Sequence, residues 1–301
     1  MPVAISKWSF LFLKELLNLK YKATVFINFI GNLFNMKRIL LIAMVAGSLL
    51  SCKNENREVP DVTGEDVLEG ETAASTDTAK IDINPISHAT AVINWGETTI
   101  YLDPVGGAEA FTGMTDADMV LITDIHGDHM SAETLAALEL GDTPIIAPQA
   151  VKDELPDSLA SKITVMNNGE NLSQSGIAIE AIPMYNLREE AKQFHPKGRG
   201  NGYILEKDGQ RLYIAGDTED IPEMRNLQNI DIALVPMNLP YTMPVDAAAD
   251  AVIEFAPEKV YPYHFRGQDG KADVNKFKQL VNEGNSEVEV VLANWYPEDE
   301  S

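Results

Sequence analysis

Short apolar runs separated by turn residues dominate the chain from Ile81 onward. β-Branched residues fill these runs and Pro, Gly or Asp bound them, which is typical of β-strands. The segment GYILEKDGQRLYIAG forms a hairpin, because Asp208 and Gly209 supply the positive φ angles of a tight turn. The other predicted strands are IDINPI, TAVINW, TTIYLDP, MVLIT, PIIAP, KITVM, IAIEAIPMY, IDIALVPM, VYPYHF and EVEVVLAN.

Helical patterns interrupt the strands at residues 131–140, where Ser131 is the expected N-cap, and at residues 149–155, 245–255 and 273–283. The strands therefore come in two sequential blocks, each ending with helices. This order predicts an α/β fold in which two mixed sheets pack face to face with helices outside. We expect a four-layer αββα sandwich rather than a doubly wound sheet.

The segment 36–51 has the pattern of a secretory signal peptide, with a basic start (MKR), an apolar run and a small residue at its end. Its ending, LLSC, resembles a bacterial lipobox, in which the cysteine is lipidated and becomes the mature N-terminus. A transmembrane anchor is the alternative, but the apolar run is too short to span a bilayer comfortably. We therefore expect a cell-envelope lipoprotein attached to the membrane through Cys52.

Residues 1–35 precede this signal and contain apolar and aromatic runs broken by lysines. Either Met36 is the true start and residues 1–35 are over-called, or they form a membrane-associated leader. Residues 52–79 have no aromatic residue and many acidic, Ser and Thr residues, so they bury too little apolar surface to fold and form a flexible tether. The globular domain then spans residues 80–301, enough for one well-buried core.

Charge and composition exclude several functions. The net charge of −23 repels phosphate backbones, so we expect no nucleic-acid partner. The single cysteine excludes both an intramolecular disulfide and a thiolate metal cluster. Because the chain has only five histidines, a metal site must use nearly all of them together with carboxylates.

The loop after the predicted strand MVLIT reads DIHGDH, from Asp124 to His129. Residues two apart in such a loop converge on one point, and Gly127 relaxes the backbone between them. Imidazole with carboxylate suits Zn, Mn or Fe, whereas a solvated turn with incidental histidines is the alternative. Further ligand-type residues stand at other predicted strand ends, at His195, Asp217 and His264. Because α/β folds build their sites at such junctions, a shared metal site explains these residues better than separate core histidines do.

The order of these residues resembles the metallo-β-lactamase superfamily, which has H-x-H-x-D-H, a distant His, an Asp in a G-D-T-like turn and a final His. The segment SHATAVINWGETTIYLDP is similar to the G-H-x-S/T…D-P opening of one branch. That branch includes ascorbate-phosphate lactonase-like and N-acyl-phosphatidylethanolamine phospholipase D-like proteins. The resemblance covers residues 81–297 and implies the αββα fold with metal-dependent hydrolysis.

The resemblance also implies a site for two divalent metal ions. One ion would be held by Asp124, His126 and His195, the other by Asp128, His129 and His264, and Asp217 would bridge both. Asp124 departs from the family pattern, which has histidine there. Its negative charge favours the harder ions Mn and Fe over Zn, and if Asp124 does not reach the ion, this site is weak or empty.

The implied reaction is hydrolysis of an ester, lactone or phosphodiester-type bond in a small-molecule or lipid-like substrate by a metal-bridging hydroxide. Asp128 is expected to orient the hydroxide, and His88 to stabilise charge or donate a proton, with a purely structural role for His88 as the alternative. Candidate substrate contacts are Arg199, Asn238, Tyr241 and Tyr263. The segment KGRGNG lacks the G-K-[ST] ending of a phosphate-binding loop and leads into a strand.

Two other functions compete with hydrolysis. One is redox chemistry on the same ligands, and the other is a catalytically degenerate metal-binding lipoprotein, which the aspartate at position 124 favours.

Overall fold

The computed structural model describes residues 80–300. The predicted leader, signal peptide, lipidated Cys52 and tether lie outside this range. Within residues 80–300, no helix combines the length and the apolarity that a membrane crossing needs.

The first sheet contains six strands in chain order: β1 (Ile81–Ser87), β2 (Thr90–Trp95), β3 (Thr98–Leu102), β4 (Met119–Leu121), β5 (Ile145–Ala147) and β6 (Ile163–Val165). The strands from β1 to β3 pair antiparallel, and those from β3 to β6 pair parallel. Every residue of β4 and β5 is buried. Parallel strands covered on both faces favour such continuous apolar runs, which explains why MVLIT and PIIAP do not alternate.

The second sheet has the order β15 (Glu289–Val290), β12 (Lys259–Tyr263), β11 (Ile232–Pro236), β10 (Gln210–Ile214), β9 (Gly200–Lys207), β8 (Ile177–Met184) and β7 (Asn171–Gln174). Its antiparallel half runs from β7 to β10, and β10, β11, β12 and β15 are parallel. Asp208 and Gly209 join β9 to β10 at φ 52° and 78°, which confirms the predicted hairpin turn.

Helices cover the outer face of each sheet. The first sheet carries α1 (Ala132–Ala137), α2 (Gln149–Glu154) and α3 (Asp157–Ala160), and the second carries α4 (Pro222–Arg225), α5 (Val245–Phe255) and α6 (Val274–Gly284). Ser131 is the N-cap of α1, as predicted, because its Oγ accepts from the Thr134 N–H at 3.1 Å. Asp273 caps α6 by accepting from the Lys276 N–H at 2.9 Å.

The main core lies between the two sheets. Ile93 and Leu102 of the first sheet belong to one apolar cluster with Ile179 and Leu205 of the second. The preceding residue of β2, Val92, faces the other way and packs in the cluster beneath α1 to α3. This alternation follows the pleat of the strand. The predicted four-layer αββα sandwich is therefore confirmed.

The differences from prediction involve short or edge elements. The strand β7, the helices α3 and α4, and a two-stranded ribbon of β13 (Arg266–Gly267) and β14 (Gly270–Lys271) are too short to show periodicity in the sequence. Conversely, EVEVVLAN forms only the two-residue edge strand β15, which pairs with Lys259 and Val260 of β12. The helix predicted over residues 131–140 ends at Ala137.

Candidate metal centre

The predicted ligands meet at one edge of the two sheets. The loop 124–129 follows β4, whereas Asp217 and His264 follow β10 and β12. Both β10 and β12 run parallel to β11 between them, so their carboxyl ends share an edge. His195 precedes β9, which is antiparallel to β10, and the amino end of β9 therefore lies at the same edge.

The loop 124–129 turns tightly after β4. The His126 carbonyl accepts hydrogen bonds from the N–H groups of His129 and Met130, both at 2.9 Å. Gly127 is not among the glycines with positive φ, and a Cβ at this position would meet nothing within 4 Å. The prediction that Gly127 is needed to relax this backbone is therefore wrong, since an ordinary residue fits the turn.

Asp128, His129, Asp217 and His264 form the inner half-site. His129 Nε2 lies 3.3 Å from Asp217 Oδ2, and His264 Nε2 lies 3.4 Å from Asp217 Oδ1 and 3.2 Å from Asp128 Oδ2. The potential ligand atoms of His129, Asp217 and His264 lie within 4.8 Å of one another, and all three residues are buried.

Two features of the inner half-site fit a divalent cation. The Nε2 atoms of His129 and His264 lie 3.0 Å apart, and two nitrogen lone pairs at this distance repel unless a proton or cation lies between them. Asp217 Oδ1 is buried and accepts no hydrogen bond from the described residues, although His264 Nε2 lies 3.4 Å away. A buried carboxylate oxygen without a hydrogen bond is costly, and a metal ion supplies the missing partner.

Charge coupling in this half-site is strong. Burial alone would raise the pKa of Asp217, but the imidazoles of His264, His129 and His195 outweigh it and hold that pKa well below its usual range. Burial alone would lower the pKa of His129, yet the carboxylates of Asp217 and Asp103 raise it well above its ordinary value. The half-site therefore attracts positive charge, whether as protons or as a metal ion.

Asp103 orients His129 and was not predicted from the sequence as a site residue. This fully buried carboxylate lies 2.8 Å from His129 Nδ1 and accepts hydrogen bonds from the Thr123 N–H and Oγ1, both at 2.7 Å. An ionised carboxylate accepts, so Nδ1 carries a proton, and Nε2 is the ring atom that faces the half-site and binds either a second proton or a metal ion. The available signal was the D-P pair ending the predicted strand TTIYLDP.

Asp124, His126 and His195 form the outer half-site. His126 Nδ1 lies 2.7 Å from Asp124 Oδ2, and His195 Nε2 lies 4.0 Å from the same oxygen and 3.0 Å from Asp217 Oδ2. His195 Nδ1 lies 3.1 Å from the Tyr241 carbonyl, which only accepts, so Nε2 is free to ligate. Asp217 thus adjoins both half-sites, as the predicted bridging role requires.

Arg199 binds Asp124. Its Nε and Nη2 donate to Asp124 Oδ1 and Oδ2 at 3.1 and 2.8 Å, and Nη2 also donates to the Phe194 carbonyl. Burial disfavours the charge of Asp124, but His126, His129 and Arg199 outweigh it and lower the pKa of this carboxyl. The predicted contact of Arg199 with an anionic substrate is replaced by this internal ion pair.

His88 contacts the inner half-site through Asp128. His88 Nε2 lies 3.3 Å from Asp128 Oδ2, and Nδ1 lies 2.7 Å from the Tyr296 hydroxyl. That hydroxyl already accepts from the N–H groups of Phe265 and Arg266, at 3.0 and 2.8 Å, so it donates its proton to Nδ1. His88 Nε2 therefore carries the proton and donates toward Asp128.

A cavity of about 430 Å³ opens onto both half-sites and is lined by His126, Asp128, Phe194, His195, Asp217, Asn238 and Tyr241. Two predicted substrate contacts, Asn238 and Tyr241, thus line the cavity. Tyr263 does not line it, because it is fully buried in the core with its ring centroid 5.4 Å from that of Trp295. The prediction that Tyr263 contacts substrate is wrong.

Comparison with known proteins places this centre in a family. The sequence profile described as "Beta-lactamase superfamily domain" matches residues 82–264. The chain belongs to this superfamily. The superfamily assignment confirms the resemblance found in the sequence and agrees with the two-sheet fold.

Proteins that are similar to this chain are named metal-dependent hydrolases. The UPF0173 metal-dependent hydrolase of Thermococcus onnurineus is 31% identical over 62% of this chain and 87% of its own length. The structure of a candidate metal-dependent hydrolase from Parabacteroides distasonis is 40% identical, covers 70% of this chain and 92% of its own, and superimposes with a TM-score of 0.63. The metallo hydrolase Igni18 of Ignicoccus hospitalis, 24% identical over 71% of this chain and 94% of its own, shares the fold with a TM-score of 0.59.

Proposed function

We propose that this chain is a metal-dependent hydrolase that cleaves an uncharged ester or lactone. The observation that carries the proposal is the convergence of the predicted ligands in two half-sites with Asp217 between them, beside one cavity that four of these ligands line. Relatives named metal-dependent hydrolases support the reaction class. A degenerate site is disfavoured, because every ligand predicted from the sequence adjoins another one here.

The residues of the cavity supply orientation and charge. Divalent metal ions such as Zn, Mn or Fe, when held by the half-sites, acidify a water molecule and polarise a substrate oxygen. Burial would raise the pKa of Asp128, but hydrogen bonds from His264 and His88 outweigh it and lower that pKa well below its usual range. Asp128 therefore stays ionised and accepts a hydrogen bond from the attacking water. His88, donating from Nε2, holds this carboxylate in place.

The cavity mouth favours an uncharged substrate with an apolar part. Phe194 and Tyr241 line the cavity, with ring centroids 5.2 Å apart in an edge-to-face contact. Two exposed leucines adjoin it along the chain: Leu239 follows Asn238, which lines the cavity, and Leu187 follows Asn186, which contacts His195. These side chains suit an acyl or lactone group better than a charged one.

Basic residues beside the cavity are already paired with carboxylates. Arg199 binds Asp124, Arg188 binds Glu219 with Nε 2.6 Å from Oε1, and Lys197 binds Glu223 with Nζ 2.7 Å from Oε1. A phosphodiester anion would have to compete for these cations within a chain of net charge −23. Ester or lactone cleavage is therefore favoured over phosphodiester cleavage.

The test is hydrolysis by the metal-free and the reloaded full chain. We expect 4-nitrophenyl acyl esters or γ-lactones to be cleaved after loading with Zn or Mn, with bis(4-nitrophenyl) phosphate turned over more slowly. Asp217→Asn should lower the rate to that of metal-free protein, whereas Glu97→Gln, at an exposed turn at the opposite end of β3, should leave it unchanged. Ester cleavage that persists in chelator and in Asp217→Asn would refute the proposal.

We further propose that the protein is a cell-envelope lipoprotein held at the membrane by Cys52. Support comes from the MKRILLIAMVAGSLLSC pattern and from the acidic, non-aromatic segment 52–79, which has the composition of a tether. Such an anchor would keep the protein in the compartment where lipid-like esters occur. Cys52→Ser should move the protein from the membrane fraction to the soluble fraction, and an unchanged distribution would contradict the anchor.

A further inference from the structure

The ion pair between Arg199 and Asp124 makes the two half-sites chemically unequal. Both oxygens of the Asp124 carboxylate accept hydrogen bonds from the guanidinium, at 3.1 and 2.8 Å, and Oδ2 also lies 2.7 Å from His126 Nδ1. Asp124 itself is fully buried, and the Arg199 side chain is only 19% exposed. A metal ion at Asp124 therefore has to share or displace a partner that is already in place.

The guanidinium is fixed from two further sides. Arg199 Nη2 donates to the Phe194 carbonyl, and the same nitrogen lies 3.5 Å from His126 Nε2. The loop 194–199 thus carries both a candidate ligand, His195, and the cation that opposes an ion beside it. A metal ion bound about 2.0–2.2 Å from an Asp124 oxygen would lie close to this guanidinium and be repelled by it.

Among residues 80–300, no arginine or lysine pairs with the carboxylates of the inner half-site. Asp128 and Asp217 both contribute carboxylates there, and Asp103 adds a third behind His129. In the outer half-site the carboxylate of Asp124 is matched by Arg199, which leaves only the Asp217 carboxylate that the two half-sites share. The electrostatic free energy of binding is therefore much more favourable for a first divalent ion at the inner half-site than for a second ion at the outer one.

We propose that Arg199 sets the metal stoichiometry of this centre, so that one divalent ion binds firmly at the inner half-site and a second binds the outer half-site only weakly. This inference rests on the proposed function, because it assumes that the centre holds metal. It assigns Arg199 the role of a positioning residue that acts through Asp124, and it leaves His126 and His195 free to contact substrate at the cavity wall.

The experiment measures stoichiometry and affinity in the full chain without relying on activity. Metal-free protein is titrated with Zn²⁺ against a chromophoric chelator, and occupancy is counted by native mass spectrometry. We expect a first equivalent at least 100-fold tighter than the second. With Mn²⁺, one equivalent should give the electron paramagnetic resonance spectrum of isolated ions, without the exchange coupling of a pair.

Removing the cation should strengthen the second site. Arg199→Met should lower the Kd of the second metal ion at least tenfold and leave the Kd of the first unchanged. Arg199→Lys keeps the charge but not the two-pronged contact, so its Kd for the second ion should lie between those of the wild type and Arg199→Met. Arg211→Met is the matched control, because Arg211 is 23% exposed and pairs with Glu206 at the far end of the same sheet. Thermal melts establish that each variant is folded, and Arg199→Lys still tests the charge effect if the Met variant unfolds.

Each outcome bears on a different claim. The proposal would be overturned if the wild type bound two metal ions with equal affinity, or if neither Arg199 variant changed the affinity for the second ion. Either result would leave the proposed metal-dependent hydrolase in place. Failure to bind any Zn²⁺ or Mn²⁺ would instead overturn the proposed function itself, and with it this inference.

Discussion

Replacing the buried Asp103 by Asn tests how much the orientation of His129 contributes to metal binding. Asp103 has φ 43°, in the left-handed region, which Asn tolerates better than most residues. The change also keeps the size of the side chain, so backbone strain and a cavity are both avoided. What it removes is one negative charge and one of two acceptor oxygens.

The expected loss of metal affinity follows from the three hydrogen bonds of the Asp103 carboxylate. The Asp103 carboxylate accepts two bonds from Thr123 at 2.7 Å, and His129 Nδ1 lies 2.8 Å away. If the new asparagine accepts the Thr123 N–H hydrogen bond with its single side-chain oxygen, its amide NH₂ group faces His129 Nδ1. His129 Nδ1 must then accept a hydrogen bond, so the imidazole proton moves to Nε2. The Nε2 lone pair is then no longer available to bind metal. A bond to a charged group contributes about 1.5–3 kcal/mol. At about 1.4 kcal/mol per tenfold, the metal Kd should rise roughly 10–100-fold.

Chelator competition with Zn²⁺ measures this Kd directly. The matched control is Asp118→Asn, because Asp118 also accepts a backbone hydrogen bond, from Thr99 at 2.8 Å, but precedes β4 at the end opposite the site. We expect the control to bind zinc like the wild type. An Asp103→Asn Kd within threefold of the wild type, with the fold intact by circular dichroism, would refute the view that Asp103 sets the tautomer of His129.

Three further predictions concern protons, positioning and backbone. The carboxylates near His129 outweigh its burial and raise its pKa, so the metal-free protein should keep an extra proton on His129 at neutral pH. Metal binding should therefore release about one proton, and metal affinity should rise with pH. Calorimetry in buffers of different ionisation enthalpy measures the proton release, and a release of zero would contradict the prediction. His88→Ala should lower the hydrolysis rate at least tenfold while metal content stays equal, and a parallel loss of metal would make His88 a ligand instead. Gly216→Ala should destabilise the metal-free protein by about 1–3 kcal/mol in urea unfolding, since Gly216 has φ 66° and its Cβ would lie 2.6 Å from Met184 Sδ. Gly127→Ala, with open space around the new Cβ, should change the free energy of unfolding by no more than about 0.5 kcal/mol. Equal effects of the two substitutions would contradict the expected difference between positions 127 and 216.

The fold was predictable where elements are long enough to show a pattern. The hairpin at Asp208 and Gly209 and the helix Val245–Phe255 follow from local turn chemistry and periodicity. The convergence of the strand-end His and Asp residues was predictable because parallel strands bring their carboxyl ends to one edge. Their division into two metal sites came only from the family resemblance. Two-residue strands such as β13 carry no periodicity and were missed.

Contacts between distant polar residues were not predictable from one sequence. Arg199 and Asp124 are 75 residues apart, and nothing local distinguishes an arginine that binds a substrate from one that binds a buried carboxylate. Asp103 lies 26 residues before His129, and its role depends on the parallel pairing of β3 with β4. Tyr263 precedes a ligand directly, but its side chain packs into the core beside Trp295.

The most direct test of the metal centre is the metal content of the full chain after loading with Zn or Mn and exhaustive dialysis, with the double variant Asp217→Asn/His264→Asn alongside. Both replacements keep the approximate shape of the side chains, and Asn tolerates the φ of 47° found at His264. We predict at least one retained equivalent in the wild type and none in the double variant. Equal retention by both proteins, or none by either, would contradict a metal centre at the edge of the two sheets.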